Sequence, residues 1–226
     1  MKNYLNILQK SVLFSGLSQS DLETLLGCLQ PKTLSYDKNQ FIARADETIE
    51  YIGLLLEGKL QIIQEDFLGN RNIISKVVPS QLFAEAFACT PGSHLYVSVI
   101  AEVPSKVLFM DVKRTLHTCD ASCSFHGSVI RNLLSDIARK NIQLNEKLIH
   151  MAQRTTREKL FSYLSAESVR HNAVAFDIPY NRQQLADYLS VDRSAMSNEL
   201  CKMRDEGLLS FHKNRFDLTN SLQDKE

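Results

Sequence analysis

The chain has 226 residues, 44% of them hydrophobic, and equal numbers of basic and acidic residues give it a formal net charge of zero. This length and composition suit a globular protein of one large or two modest domains rather than a disordered chain. No apolar run reaches transmembrane length, Met1–Tyr4 does not open a signal peptide, and five unevenly spaced cysteines argue against a secreted disulfide framework, so we expect a cytoplasmic protein without a membrane partner.

The first thirty residues predict short helices, of which Gln19–Leu29, capped by Ser18, has a clear apolar face. From Pro31 the pattern changes to short, β-branched and partly alternating runs that are separated by turn residues. These runs predict strands at Lys32–Tyr36, Gln40–Arg44, Tyr51–Leu56, Lys59–Gln64, Asn72–Val78, Leu95–Ala101 and Ser105–Asp111. Strands of this length and spacing indicate a double-sheet jelly roll, also called a double-stranded β-roll.

A long helix is predicted over residues 124–153. Its inner positions are spaced alternately by four and three residues, which gives a heptad seam of Ile130, Leu134, Ile137, Asn141, Leu144, Leu148 and Met151. One asparagine in such a seam favours parallel pairing of two helices, because each amide can hydrogen-bond its twin. Two interpretations stay open: a homodimer through this helix, or one amphipathic helix that packs on its own jelly roll and leaves Asn141 exposed.

Two helices joined by a tight turn are predicted at Arg182–Leu189 and Arg193–Glu206. Met196, Leu200 and Met203 give the second helix an apolar face that can pack on the first helix. The end signals are a capping box of Asn181 and Gln184, an N-cap at Asp192 and a stop at Gly207. After them, Ser210–Phe211 and Arg215–Leu218 can form a β-hairpin around a Lys213–Asn214 turn, which is the wing of a winged helix-turn-helix.

The opposite face of the second helix is rich in polar groups of the kind that read base edges in a major groove. The base-reading candidates are Arg193, Ser194, Ser197 and Asn198, and the phosphate-contact candidates are Arg182, Gln183, Lys202 and Lys213. Bulk charge does not support nucleic-acid binding, because basic and acidic residues are equally numerous from Ala152 onward. Any positively charged surface must therefore come from where the basic residues lie in the fold, rather than from their number.

The run from Arg182 to Leu200, with Arg204–Leu209 after it, resembles the DNA-binding domain of the CRP/FNR family of bacterial transcription regulators. Leu55–Leu60 is similar to the strand–turn–strand signature of that family's cyclic-nucleotide-binding-like sensor domain. The resemblance implies an α+β fold of three parts: a sensor domain (1–123), a dimerisation helix (124–153) and a winged helix-turn-helix (154–226). It also implies a homodimer that binds a palindromic operator and contacts RNA polymerase.

The resemblance further implies roles for single residues. We expect Arg193 to contact a guanine and Asn198 to suit an adenine. Many family members carry glutamate where Ser194 stands and arginine where Asn198 stands, so we expect an altered operator. The alternative hypothesis is an effector-binding module whose winged helix contacts protein rather than DNA. An enzyme on the jelly roll is not expected, because the strand region offers only His94 as a metal-ligating histidine.

Cyclic-nucleotide members hold the phosphate with a Gly-Glu pair and, about ten residues later, an arginine and a small hydroxyl. The corresponding effector-pocket residues here are Phe83, Glu85, Leu95 and Tyr96, with Ala84 in place of the glycine. Leu95 stands at the arginine position, and a buried phosphate without a guanidinium would cost several kcal/mol. Cyclic AMP is therefore not expected as the effector. The resemblance implies no iron–sulfur cluster either, because the iron–sulfur branch of the family carries a cysteine cluster in its first thirty residues and this chain has only Cys28 there.

A cluster of His117, Cys119, Cys123 and His126 precedes the long helix. If this segment is helical, Cys119, Cys123 and His126 fall on one face. Three interpretations stay open: buried small thiols with a satisfied histidine, a redox-active thiol pair or single reactive thiol, and a metal or haem site. The spacing matches no known zinc motif, so the sequence names no cofactor.

Overall fold

The structure, a computed structural model, describes residues 4–65, 71–117 and 124–218. The chain divides into two compact units, Met1–Arg139 and Lys140–Glu226. Two residues of the predicted His/Cys cluster, Cys119 and Cys123, lie outside the described residues. Within the described ranges, none of the helices combines the length and apolar character that a membrane span requires.

The first unit contains two antiparallel four-stranded sheets, ordered β1-β8-β3-β6 and β2-β7-β4-β5. The strands are β1 (Lys32–Tyr36), β2 (Phe41–Ala43), β3 (Tyr51–Glu57), β4 (Leu60–Glu65), β5 (Arg71–Val77), β6 (Leu82–Phe83), β7 (Ser98–Ala101) and β8 (Ser105–Asp111). Its helices are α1 (Leu5–Lys10), α2 (Gln19–Leu29), α3 (Glu85–Ala88) and α4 (Val112–Leu116), with a 3-10 turn at Val12–Phe14. Helix α5 (Ser124–Met151) begins in the first unit and ends in the second. This arrangement confirms the predicted α+β fold with its β-roll.

Two strand predictions need correction. The predicted strand Leu95–Ala101 begins only at Ser98, because the backbone of Leu95 bonds to Glu47 (2.9 Å) and Asp46 (2.7 Å) instead of joining the β7 ladder. Strand β6, Leu82–Phe83, was not predicted, since two residues are too short for a period-two pattern. It nevertheless pairs with β3 and is the edge strand of the first sheet.

Side chains alternate between two cores in the first sheet. Ile52 and Leu54 pack with the helices on one face, whereas Leu55 packs between the sheets. The space between the sheets is filled partly by Phe83, whose ring lies against Gly53; an added Cβ at that glycine would stand 2.2 Å from the ring. The β-roll interior is therefore packed closely around this aromatic ring.

The first part of the long helix α5 packs against the core of the first unit. Val129 and Leu133 are buried in the core of the first unit, and Ile137 packs against that core. Val129 and Leu133 lie outside the predicted heptad seam, so this contact is compatible with both interpretations of the seam.

The second unit is a helical domain with a three-stranded antiparallel sheet ordered β10-β11-β9. Its elements are α6 (Thr156–His171), β9 (Ala175–Asp177), α7 (Arg182–Leu189), α8 (Arg193–Asp205), β10 (Ser210–His212) and β11 (Arg215–Asp217). Both predicted helices and the predicted wing are confirmed. Helix α8 ends at Asp205, one residue before the expected end, and Gly207 adopts φ +77° just beyond it.

Candidate nucleic-acid interface

Local hydrogen bonds fix the ends of α7 and α8. The Asn181 side chain accepts from the Gln184 N–H, and the Gln184 side chain accepts from the Asn181 N–H, each at 2.9 Å. Asp192 accepts from the N–H of Ala195 at 2.8 Å and so caps α8. These contacts satisfy N–H groups that a helix leaves free at its first turn. They therefore define where α7 and α8 begin.

Helix α8 separates its apolar and polar residues cleanly. Met196, Leu200 and Met203 have at most 1% of their surface exposed. On the other side, Arg193, Ser194 and Asn198 are exposed and Ser197 is half-buried. The predicted base-reading residues therefore lie on the outside of one helix, clustered near its N-terminus.

Arg157 on α6 holds the far end of α8. Its guanidinium donates both terminal nitrogens to the Glu206 carboxylate, one of them at 2.9 Å, and reaches Glu199 at 3.4 Å. These contacts raise the pKa of Arg157 and hold the pKa of Glu206 below its usual range. Arg157 therefore adds no free positive charge to the surface, because acids more than forty residues away in sequence neutralise its guanidinium.

The four phosphate-contact candidates have different surroundings. Arg182 is half-buried, with its guanidinium 4.7 Å from the ring centre of Phe211 and 5.0 Å from that of Phe216, and burial lowers its pKa. Gln183 donates to Asp187 at 2.8 Å, and Lys202 lies 3.6 Å from Glu199. Lys213 is exposed at the tip of the wing, where its φ is +53°. Arg182 thus contributes to the packing of the wing, and a phosphate contact from it stays a prediction.

Three of the seam leucines on α5 are exposed in the single chain. Leu134, Leu144 and Leu148 have 66%, 56% and 52% of their surface exposed. Asn141 is also exposed, and its Oδ1 accepts from Asn145 Nδ2 at 3.0 Å. Ile130 and Met151 are half-buried. Three leucines exposed along one helix leave apolar surface that a second helix can cover.

Polar contacts join the end of α5 to α6 within the second unit. His150, which is 4% exposed, hydrogen-bonds through Nδ1 to the Ser162 hydroxyl at 2.7 Å, and its ring lies edge-on to Tyr163. Arg170 donates to Glu146 at 2.8 Å. Burial lowers the pKa of His150. These contacts were not predicted from the sequence, because nothing local marks a histidine as buried.

The predicted effector-pocket residues do not share one environment. Phe83 and Leu95 have 2% and 1% of their surface exposed and belong to the packed core between the sheets, and Glu85 is 6% exposed. Tyr96 is 72% exposed and lies edge-on to Phe87 at 5.2 Å. Ala84 has the left-handed φ of +67°, a conformation that favours glycine.

The two histidines of the predicted His/Cys cluster also differ. His117 is exposed and hydrogen-bonds to the carbonyl of Lys113 at 2.9 Å. His126 is 2% exposed, and its Nδ1 has no hydrogen-bond partner among the described residues. Within residues 4–65, 71–117 and 124–218, no group of three or more His, Cys, Asp or Glu side chains is placed to hold a metal ion.

Two protein families match this chain. Residues 33–122 match the family described as a cyclic nucleotide-binding domain, and residues 148–221 match the Crp-like helix-turn-helix domain. A "Probable transcriptional activator" of Rhizobium leguminosarum bv. viciae is 24% identical over 162 residues. That match covers 68% of this chain and 58% of the relative, which is less than two thirds of the relative's length.

Solved structures share the fold. The catabolite activator protein of Thermus thermophilus has a TM-score of 0.50 at 18% identity, and the match covers 93% of this chain and 95% of that protein. The c-di-GMP responsive global regulator CLP of Xanthomonas campestris has a TM-score of 0.54 at 14% identity, with 89% and 99% covered. At such identities the similarity concerns the fold alone.

Proposed function

Because this chain belongs to the CRP/FNR family of transcription regulators, we propose that it is a homodimeric, sequence-specific DNA-binding regulator whose affinity for DNA responds to an effector. The family consists of regulators rather than enzymes. The observation that carries the proposal is the exposed polar face of α8, where Arg193, Ser194 and Asn198 lie outside a buried apolar face. Such a face at the start of a helix is suited to base edges in a major groove.

Base reading is assigned to the N-terminal turns of α8. Arg193 can donate two hydrogen bonds to one guanine, and Asn198 can pair with adenine. Ser194 and Ser197 lie close to them along the same helix and can contribute single hydrogen bonds. Lys202 and Lys213 are assigned to phosphates, which fix the position of the protein on the duplex without reading sequence.

Dimerisation is assigned to the uncovered part of α5. Three exposed leucines and Asn141 fit a parallel two-stranded pairing, in which Asn141 would exchange its present partner Asn145 for its twin. A dimer would present two copies of α8 to half-sites about one helical turn apart, and so to a palindrome.

The effector is assigned to a class other than cyclic AMP. Leu95, at the position of the family's phosphate-binding arginine, is buried in an apolar core, and a phosphate there would lack a guanidinium partner. Calorimetry with cyclic AMP should therefore give no binding at micromolar concentration. A haem signal through His117 or His126 would instead produce a Soret band on haem addition that is lost when the ligating histidine is replaced.

The central experiment selects bound duplexes from a random pool and then compares two variants. Arg193→Ala should lose about 1–3 kcal/mol of affinity for the selected operator and relax its preference at one base pair. Lys202→Ala is the matched control, because loss of a phosphate contact should weaken operator and random DNA alike. Affinity should also fall steeply with salt.

Two results would contradict this proposal. Equal loss on operator and random DNA in Arg193→Ala would remove that residue from base reading. A winged helix that selects no duplex and shows no salt-dependent DNA affinity would favour the alternative, in which the domain contacts protein.

A further inference from the structure

A groove opens at one end of the first sheet of the β-roll, apart from the residues that the sequence analysis assigned to an effector. It has a volume of about 380 Å³ and is lined by Leu29, Gln30, Lys32, Glu50, Tyr51, Phe109, Asp111 and Arg114. This volume is near the lower end of the range for small-molecule sites, about 300–1,000 Å³.

Strand register explains why these side chains meet. Lys32 pairs with Phe109, and Tyr51 pairs with Asp111, across neighbouring strands. Phe109 and Asp111 are two residues apart on β8, so all four side chains share one face of the sheet. Tyr51 and Phe109 lie edge to face with ring centres 4.8 Å apart, and together they give the groove an aromatic floor.

The charges of the groove favour an anion. Arg114 donates to the neutral side-chain oxygen of Gln30 at 2.6 Å, and neither Arg114 nor Lys32 forms an ion pair within residues 4–65, 71–117 and 124–218. Of the two acids, Glu50 lies 3.3 Å from Lys113, and Asp111 accepts the N–H of Arg114 at 2.9 Å as the cap of α4. Two cations thus face the groove without a carboxylate partner.

Tyr51 adds a neutral donor beside them. Burial, and secondarily the charge of Glu47, raises the pKa of the Tyr51 hydroxyl. The hydroxyl therefore keeps its proton at neutral pH and can donate a hydrogen bond to an anion.

We propose that this groove binds a small aromatic carboxylate, with its ring on Tyr51 and Phe109 and its carboxylate held by Lys32 and Arg114. The carboxylate would replace Gln30 as the partner of Arg114, because a charged acceptor binds a guanidinium more strongly than a neutral amide oxygen does. Asp111 would disfavour ligands with a second negative charge. This inference goes beyond the proposed function, since it concerns ligand binding by the β-roll and requires no DNA.

The test is calorimetry of the full chain, without DNA, with four probes: benzoate, 4-hydroxybenzoate, benzylamine and inorganic phosphate. The two carboxylates should bind, and the amine and phosphate should not. Arg114→Gln should weaken carboxylate binding about tenfold, as expected for loss of a charge-assisted hydrogen bond. Lys38→Gln removes a positive charge from an exposed residue of the same unit that does not line the groove, and should change affinity less than about twofold.

Lys32→Gln gives a second variant at an exposed position, in case Arg114→Gln disturbs the fold, and it should also lower the affinity. The proposal is overturned if neither carboxylate binds, if benzylamine or phosphate binds as tightly, or if Lys38→Gln loses as much as Arg114→Gln. None of these results would bear on DNA selection by α8, so failure here and failure of the proposed function are distinguishable.

Discussion

The base-reading candidates of the second unit are mostly exposed, whereas most of the effector-pocket candidates of the first unit are buried. Arg193 and Asn198 are exposed on α8, but Phe83 and Leu95 are 2% and 1% exposed in the β-roll. The difference follows from the two scaffolds. A helix sorts its residues by a local period, while the interior of a sandwich depends on which strands face each other. A site on a helix face is therefore visible in sequence, and a site in a β-roll depends on contacts between distant segments.

The strongest test of this contrast is the buried face of α8. Leu200→Ala should lower the free energy of unfolding of the second unit by about 2–5 kcal/mol, because Leu200 is 1% exposed and its loss leaves a cavity. Val169→Ala, at a position 81% exposed on α6, should change it by less than about 0.5 kcal/mol. Urea unfolding measures both, and similar values for the two variants would refute the assignment of faces.

The next effect concerns leucines that the single chain leaves exposed. Leu148→Ala should weaken the dimer by about 2–3 kcal/mol, since a seam leucine becomes buried only on pairing. Ile142 is the matched control, because it is 59% exposed on the same helix but outside the heptad seam. Sedimentation equilibrium gives the dissociation constants. A larger loss in Ile142→Ala than in Leu148→Ala would place the interface on another face of α5.

A smaller effect is expected at the start of α8. Asp192→Ala removes the cap that accepts from the N–H of Ala195 and should cost about 1 kcal/mol of stability. Asp205→Ala, at the other end of α8, should cost less than about 0.5 kcal/mol, because an acid is unfavourable near a helix C-terminus. Thermal unfolding of both variants checks the prediction, and an equal loss in both would contradict it.

The smallest effect is a pH dependence from His150. Burial lowers its pKa in the folded state, so below about pH 6.5 the unfolded chain binds a proton that the folded chain does not. Stability should therefore fall as the pH drops below that value and stay level above it. Glu146 opposes the shift and Arg170 reinforces it, while the neighbouring Tyr163 and Tyr188 stay neutral in this range.

His150→Gln should remove this part of the pH dependence, and His171→Gln, at an exposed position on α6, should leave it in place. Unfolding at several pH values measures the difference. An unchanged slope in His150→Gln would show that other groups cause the acid sensitivity.

The helix-turn-helix could be predicted almost residue by residue. The capping box at Asn181, the cap at Asp192 and the turn at Gly207 are all signals within a few residues of the boundary they set. The sequence did not show that Arg157 pairs with Glu206, because that contact joins residues 49 apart. It also did not show that Arg182 packs over Phe211 and Phe216, which depends on how the wing folds back.

The sequence by itself determined most of the helices and strands, which side of α8 is polar, and that α5 carries a heptad seam, because these features depend on periodicity and on caps a few residues long. Only the tertiary structure decided that Phe83 and Leu95 are packed inside, and that Lys32, Tyr51 and Arg114 line one groove. Strand order and register bring those three residues together from separate parts of the chain, and no local pattern encodes that pairing.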